Sequence, residues 1–154
     1  MEKTVDLIVP CFNEGEVLEL FHSEVSAVLD GCEGYAFHFI FVNDGSKDQT
    51  LNLLRRFAAE DKRVRYLSLS RNFGKESAML AGMKYSTGDY VGILDADLQH
   101  SPELIPEMLS ELEEGYEIDA ARRVDRSGEG KVKSVFSRAV SYTHLRAHET
   151  RGNL

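Results

Sequence analysis

Residues 88–102 read GDYVGILDADLQHSP, and the order of residue types in this stretch decides the fold. Tyr90 to Leu94 is a short apolar run, the mark of a strand buried on both faces. The polar segment Asp95-Ala96-Asp97-Leu98-Gln99 follows at once. Ser101 as N-cap and Pro102 at the first helical position then open a helix that runs through Glu114. A buried strand, a polar turn and a helix, in that order, form half of a parallel βαβ unit.

The same order recurs along the chain. Thr4 to Pro10 (TVDLIVP) reads as a strand that Pro10 ends by withholding its N–H. Glu14 to Asp30 follows as an amphipathic helix with Val17, Leu18, Phe21, Val25, Val28 and Leu29 on one face. Ala36 to Val42 is a second strand. Ser46 and Gln49 fit a capping box for a helix burying Leu51, Leu54, Phe57 and Ala58. Val64 to Leu69 is a third strand, Gly74 to Tyr85 a helix, and Glu117 to Ala121 a fifth strand. The expected fold is therefore α/β, a mostly parallel central sheet with helices on both faces. In such sheets ligands bind beyond the carboxyl ends of the strands. The polar clusters fall there: Asn13-Glu14, Asn43 to Ser46, Arg71-Asn72, Asp95 to Asp97 and Arg122-Arg123 each follow a strand.

Composition fits a single globular domain. The 154 residues are 42% hydrophobic and 29% charged, and the formal net charge is -8. That balance argues against a nucleic-acid partner, which needs a basic face. The charge is uneven. Residues 103–119 hold seven acidic residues and no Lys or Arg, whereas residues 122–138 hold six basic and two acidic ones. The second stretch suits an anionic ligand or an anionic lipid surface. Cys11 and Cys32 have neither CxxC nor zinc-type spacing, and they read as free thiols in a reducing compartment. No signal peptide opens the chain, and no apolar run approaches the ~20 residues of a membrane span. Residues 141–154 (SYTHLRAHETRGNL) share no period with the preceding elements and read as a non-native or disordered tail, with the domain at 1–140; His144 and His148 at i,i+4 are not assigned to a metal.

Two carboxylates one residue apart, after a buried strand, repel one another unless a cation sits between them. Asp95, Asp97 and Gln99 can point to one side if the strand geometry continues. They would offer three oxygen donors to Mg²⁺ or Mn²⁺, a type of ion that arrives with substrate phosphates. Asp44 lies on the same edge and suits a base N–H or a ribose hydroxyl. Asp48 faces the start of the next helix, where the macrodipole favours negative charge. Asn13 and Glu14 suit a ligand role or a helix cap, and Cys11 reads as a packing residue. Arg71 and Lys75 flank a loop at a helix start, suited to an anion. Arg122 and Arg123 offer a bidentate clamp for phosphate.

VPCFNE, VNDGSKDQT, RNFGKESAMLAGM, GDYVGILDADLQHSPELIPEM and ARRVDRSGEGKVKSVFSR together resemble the family 2 glycosyltransferases, in the branch related to dolichol-phosphate mannose synthase. The resemblance covers residues 4–140. It implies a GT-A fold, a nucleotide-diphospho-sugar donor (UDP- or GDP-sugar), Mg²⁺ or Mn²⁺, and a polyprenyl-phosphate or related cell-envelope glycan acceptor at the cytoplasmic face of a membrane. Position by position, Pro10, Asn13, Glu14 and Asp44 would line the base and ribose pocket. Asp95 would reach ribose and metal, Asp97 and Gln99 would hold the metal, and Arg122, with Arg123 as its alternate, would meet phosphates. A polyprenyl phosphate is already an oxyanion, so its attack needs no strong base, whereas a glycan hydroxyl would need a carboxylate. The remaining alternatives are an inactive donor-binding fragment and a sugar nucleotidyltransferase, although that class carries a Gly-rich loop where this chain has PCFNEGE.

Overall fold

The computed structural model describes residues 2–98, 101–115, 118–124 and 130–138, the last two stretches as backbone. Gln99 and the tail with His144 and His148 lie outside the described residues. The chain order is β1 (Lys3–Cys11), α1 (Leu18–Asp30), β2 (Tyr35–Asn43), α2 (Thr50–Glu60), β3 (Val64–Ser68), α3 (Lys75–Tyr85), β4 (Tyr90–Ile93), α4 (Leu104–Glu113), β5 (Ile118–Val124) and β6 (Gly130–Arg138). The strands form one sheet in the order β3-β2-β1-β4-β6-β5. β1 to β4 pair in parallel, and β6 runs antiparallel between β4 and β5.

Alternation along the strands builds two apolar layers. Val5, Leu7, Val9 and Cys11 of β1 join Phe37, Phe39 and Phe41 of β2 against Leu18, Phe21, Val25 and Leu29 of α1, Leu54 and Phe57 of α2, and Ile105, Met108, Leu109 and Leu112 of α4. The intervening residues Ile8, Ile40, Val42, Val91 and Ile93 form the second layer with Ala78, Met79, Ala81 and Met83 of α3. The register places Leu7 beside Phe39 and Val9 beside Phe41, and the Phe39 and Phe41 rings stack at 5.4 Å. α3 presses closely on the sheet: a Cβ added at Gly82 would stand 2.5 Å from Ile8 Cγ2.

Several local expectations are corrected. Pro10 does not end β1, which continues beside β2 to Cys11. Successive peptides of a strand face opposite neighbours. The Ile8 carbonyl accepts from Leu94 N on the β4 side, so Pro10 faces that side too. There the pairing has already stopped at Ile8 and Ile93, and a missing N–H costs nothing. α1 begins at Leu18 rather than Glu14, after a turn in which Val17 N and Leu18 N both donate to the Glu14 carbonyl. The Ser46–Gln49 capping box does not form. Ser46 Oγ accepts from Asn13 N instead, and Asp48 Oδ1 accepts from Thr50 N and Thr50 Oγ1 at the start of α2. Ser101 Oγ accepts from Glu103 N in a turn that precedes α4 at Leu104. Arg122 and Arg123 do not follow the fifth strand but lie on it, opposite Val132 and Lys131 after a register shift. β6 occupies part of the stretch read only as basic.

β1 is the point where the chain reverses direction across the sheet. β2 and β3 are added on one side of it and β4 on the other. A crevice opens where strands so connected part at their carboxyl ends: past Ile8 and Ile93, β1 stays with β2 while the chain after β4 turns away.

Candidate functional site

The crevice is a cleft of about 380 Å³ lined by Pro10, Cys11, Phe12, Glu14, Asp44, Asn72, Gly74, Lys75, Asp95, Ala96 and Asp97. Four loops build it, each leaving the carboxyl end of one of β1 to β4. The first two are stapled together. Asn13, at φ 52°, donates its N–H to Ser46 Oγ and accepts from Lys47 N through Oδ1, both at 2.9 Å. Asn is among the few side chains that tolerate this left-handed conformation. Glu14 N donates to Thr50 Oγ1 and Gly15 N to Asp48 Oδ2. Asn13 therefore works between the loops and does not line the cleft, whereas Glu14 does.

Asp44 is 2% exposed. Its N–H donates to the Cys11 carbonyl at 2.8 Å, which extends the β1–β2 ladder by one bond. Its Oδ1 accepts from Phe73 N at 2.8 Å, and its Oδ2 from Gly74 N at 3.0 Å and Asn72 Nδ2 at 3.3 Å. Gly74, at φ 104°, leads into α3. Lys75 then extends its ammonium to Asp95 Oδ1 at 2.5 Å. The Asp95 side chain is 14% exposed, and its Oδ2 is buried with no hydrogen-bond partner among the described residues. Leu98, three residues on, sits at φ 54°, a conformation that costs a non-glycine residue about 1–2 kcal/mol.

The electrostatics are strongly negative on the Glu14 side. Burial raises the Glu14 carboxyl above its ordinary range, Asp97, Asp95 and Asp48 push it further, and Lys75 offsets them in part. Asp48 goes the other way. Burial opposes ionisation, but hydrogen bonds from Thr50 and from Gly15 N hold its carboxyl low, and it faces the start of α2 as expected. Burial pushes the Cys11 thiol far up while its Sγ points at the Val9 carbonyl, so Cys11 packs and does not react.

Six of the residues singled out from the sequence meet in this cleft: Pro10, Glu14, Asp44, Lys75, Asp95 and Asp97. Gln99 lies outside the described residues. Arg122 is placed by backbone register alone. Ile93 is opposite Val135, Val135 is opposite Ala120, and Arg122 follows two residues later, as Asp95 follows Ile93. It thus stands on the same sheet edge, two strands from β4 or ~10 Å. The sequence reading passed over Phe12, 47% exposed at the cleft wall, and Gly45. At Gly45, φ is 69° and an added Cβ would stand 2.2 Å from Asn72 N and 2.4 Å from the Arg71 carbonyl carbon. The Asp44-Gly45 pair was the available signal, since such pairs mark turns that need positive φ.

Asp95 and Asp97 suit a hard divalent cation. The buried, unpartnered Asp95 Oδ2 is an oxygen donor without a protein partner among the described residues, and a lysine ammonium already stands against its other oxygen. Among the described residues no three His, Cys, Asp or Glu side chains converge on one point. A pair of carboxylates completed by substrate phosphates and water is the arrangement Mg²⁺ favours.

The model of the family described as Glycosyl transferase family 2 matches residues 6–154. The bactoprenol glucosyl transferase of Shigella phage SfX is 40% identical over 129 residues, 84% of this chain and 42% of that protein. The prophage bactoprenol glucosyl transferase homolog of Escherichia coli (strain K12) is 39% identical over 129 residues, again 84% and 42%. The chain thus spans about two fifths of the length of these relatives. Among solved structures, the mannosyltransferase PcManGT from Pyrobaculum calidifontis, in complex with GDP-Man and Mn²⁺, superposes with a TM-score of 0.75 at 17% identity, over 94% of this chain and 47% of that one. That likeness shows a shared GT-A fold.

Proposed function

Since this chain belongs to glycosyl transferase family 2, we propose that its cleft binds the nucleotide-diphospho-sugar donor of a hexosyltransferase whose acceptor is a polyprenyl phosphate. The observation that carries the reading is the pairing at the switch point of the sheet. A lysine and an aspartate with one unspent, buried oxygen meet there, and further carboxylates face the same space. A diphosphate bridged to the protein by a divalent cation satisfies both signs of charge. The acceptor follows from the relatives' names, bactoprenol being a polyprenol.

In this reading Asp95 and Asp97 would hold Mg²⁺ or Mn²⁺, with Gln99 assigned as a third donor from the sequence alone, and the ion would supply Lewis-acid stabilisation of the departing nucleoside diphosphate. Lys75 transfers its charge from Asp95 to the phosphates. Pro10, Phe12 and Glu14 wall the nucleoside end of the cleft, with Asn13 fixing their loop. Arg122, whose backbone stands at the same sheet edge, would meet phosphate oxygens, as the family resemblance implies. A polyprenyl-phosphate acceptor would be an oxyanion in a membrane surface, and transfer to it would take place there; no helix among the described residues is long and apolar enough to cross a membrane.

Calorimetric titration with UDP and GDP, with and without Mn²⁺, tests the proposal. Binding of at least one nucleotide that tightens ten-fold or more with Mn²⁺ is expected, and Mn²⁺-independent or absent binding refutes it. Release of pyrophosphate from a nucleoside triphosphate and a sugar phosphate would instead identify a nucleotidyltransferase.

A further inference from the structure

We propose that the hollow between α2 and the carboxyl ends of β2 and β3 is a second anion site, which binds a phosphate group outside the donor cleft. The site rests on charged groups that the donor-site reading does not use.

The hollow measures about 650 Å³. It adjoins the cleft across a shared wall of Phe12 and Asn72. The two differ in charge. Glu14, Asp44, Asp95 and Asp97 line the cleft. No acidic side chain is among the described residues that line the hollow, whereas Lys47 and Arg71 both are. In a chain of formal net charge -8, a concave surface with cations and no acid needs an explanation.

Neither cation is neutralised. Lys3, Arg56, Arg63 and Lys75 each pair with a carboxylate, but among the described residues Lys47 and Arg71 do not. The acid nearest in sequence to Lys47, Asp48, spends its oxygens on Gly15 N and Thr50. The Arg71 guanidinium carbon stands 4.3 Å from the Phe73 ring centroid. Such stacking orients a guanidinium and leaves its charge and its N–H donors available.

Hydroxyl groups add donors. A serine hydroxyl carries one O–H and two lone pairs. Ser46 Oγ accepts from Asn13 N at 2.9 Å, and Ser68 Oγ accepts from Asn43 Nδ2 at 3.0 Å. Each keeps its O–H to give, and both residues line the hollow with Ser70. Asn43 turns its own acceptor inward, where Oδ1 takes Ser46 N at 3.1 Å. The two loops are also fixed to one another. Leu69 N donates to the Asn43 carbonyl at 2.9 Å, and at Gly45 the backbones approach so nearly that no Cβ fits. Lys47 and Arg71 therefore stand on loops whose spacing is set before a ligand arrives. Cations with O–H donors suit a phosphate, whose charge-assisted hydrogen bonds are the strong kind. A phosphomonoester carries about -1.5 to -2 charges near neutral pH, which the two cations match. Leu51 and Leu69 leave an apolar side of the hollow for the organic part of such an ester.

Inorganic phosphate, titrated at constant ionic strength and followed by backbone amide shifts in nuclear magnetic resonance, tests the proposal. Saturable shifts at Ser46, Lys47, Ser70 and Arg71 are expected, with a dissociation constant on the order of 1 mM. Lys47→Gln and Arg71→Gln should each weaken binding about five-fold, the loss of one exposed charge pair, and Lys75→Gln should leave it unchanged. Both side chains are exposed, and the same spectra show that each variant is folded. Addition of UDP with Mg²⁺ separates the two sites. Phosphate shifts that persist at saturating UDP support a second site. Displacement by UDP, shifts centred on Gly74, Lys75 and Asp95, or unsaturable shifts that chloride reproduces each overturn it. If the chain binds no nucleotide, the donor reading fails while the phosphate titration keeps its meaning. Vesicles of phosphatidylcholine with phosphatidic acid distinguish the sources of the phosphate. Sedimentation that Lys47→Gln/Arg71→Gln abolishes assigns the site to a lipid headgroup. Binding of free phosphate without sedimentation assigns it to a soluble phosphomonoester.

Discussion

Replacing Lys75 with Gln should tighten binding of Mn²⁺ alone and weaken binding of nucleotide in its presence. The ammonium stands 2.5 Å from Asp95 Oδ1. At that distance two unit charges attract by about 7 kcal/mol at an effective dielectric constant near 20, before any desolvation cost. Hydrogen bonds to charged groups net about 1.5–3 kcal/mol. The lysine is 55% exposed, although the aspartate is 14% exposed, so solvent screening lowers this to about 1 kcal/mol. A cation that enters between Asp95 and Asp97 must displace the ammonium or bear its repulsion. Lys75→Gln removes both costs. About 1 kcal/mol corresponds to roughly five-fold, so the dissociation constant for Mn²⁺ should fall by about that factor. The signal of free aqueous Mn²⁺ in electron paramagnetic resonance measures it directly. With UDP present the sign reverses, because the diphosphate loses the cation that Lys75 supplies: the affinity for UDP at saturating Mn²⁺ should drop by about ten-fold. An unchanged or weakened affinity for Mn²⁺ alone would refute the argument, since Lys75 would then not be occupying the metal's electrostatic place.

Three further outcomes concern the scaffold. Gly45→Ala combines a left-handed φ of 69° with a Cβ 2.2 Å from Asn72 N, so a loss of about 3 kcal/mol in urea unfolding is expected, together with loss of UDP binding; a wild-type midpoint would show that the two loops can separate freely. Asp6→Ala strips three donors of their shared acceptor, Ser86 Oγ, Thr87 N and Gly88 N at 2.8–2.9 Å, and should cost about 3 kcal/mol or more, while the folded fraction keeps its nucleotide affinity. For Asp61, burial favours the neutral acid, but hydrogen bonds from Arg63 and His22 prevail and hold the carboxyl at about 2 against an ordinary 3.8. A depressed carboxyl stabilises the fold above the unfolded value and loses that contribution as pH falls through the folded one. Asp61→Asn should therefore be about 2 kcal/mol less stable than wild type at pH 6, and the gap should close between pH 4 and pH 2; a gap independent of pH would show that the ionic character of Asp61 is irrelevant.

Much of the fold was legible because a parallel sheet covered on both faces must be apolar on both. TVDLIVP and AFHFIFV carry that requirement openly, and their odd and even residues went to the two layers the structure shows. β6 was passed over for a physical reason. Lys131-Val132-Lys133 alternates as an antiparallel strand does, but its charges also suit an anion site, and sequence spacing does not say which use the fold makes of them. Helix starts were misplaced where a side chain had two partners to choose from: Ser46 could cap its own helix or hold Asn13, and it holds Asn13. The cleft residues were legible as types after strands. Asn13, which staples two loops, and the hydrogen bonds of the Asp44 carboxylate were not, because both depend on distances between loops about 30 residues apart in sequence.

Asp6 and Asp95 show why burial alone does not mark a functional acid. Asp6, 0% exposed, is the more deeply buried, near the amino end of β1. Its Oδ2 accepts from the three donors at residues 86–88, and its Oδ1 meets His38 Nδ1 at 3.2 Å. Gly88 lies so close that an added Cβ would stand 3.1 Å from the Asp6 carboxyl carbon. Its capacity is spent on closing the connection between α3 and β4, so it is a structural group in spite of its charge. Asp95 comes after β4, at the carboxyl edge, where no ladder bond remains to be made. One oxygen holds an exposed lysine that can leave, and the other holds nothing among the described residues. An unsatisfied buried carboxylate oxygen costs free energy that folding alone has no reason to retain. Under the donor-site proposal, a ligand that enters the cleft at the switch point of the sheet would restore the missing bond.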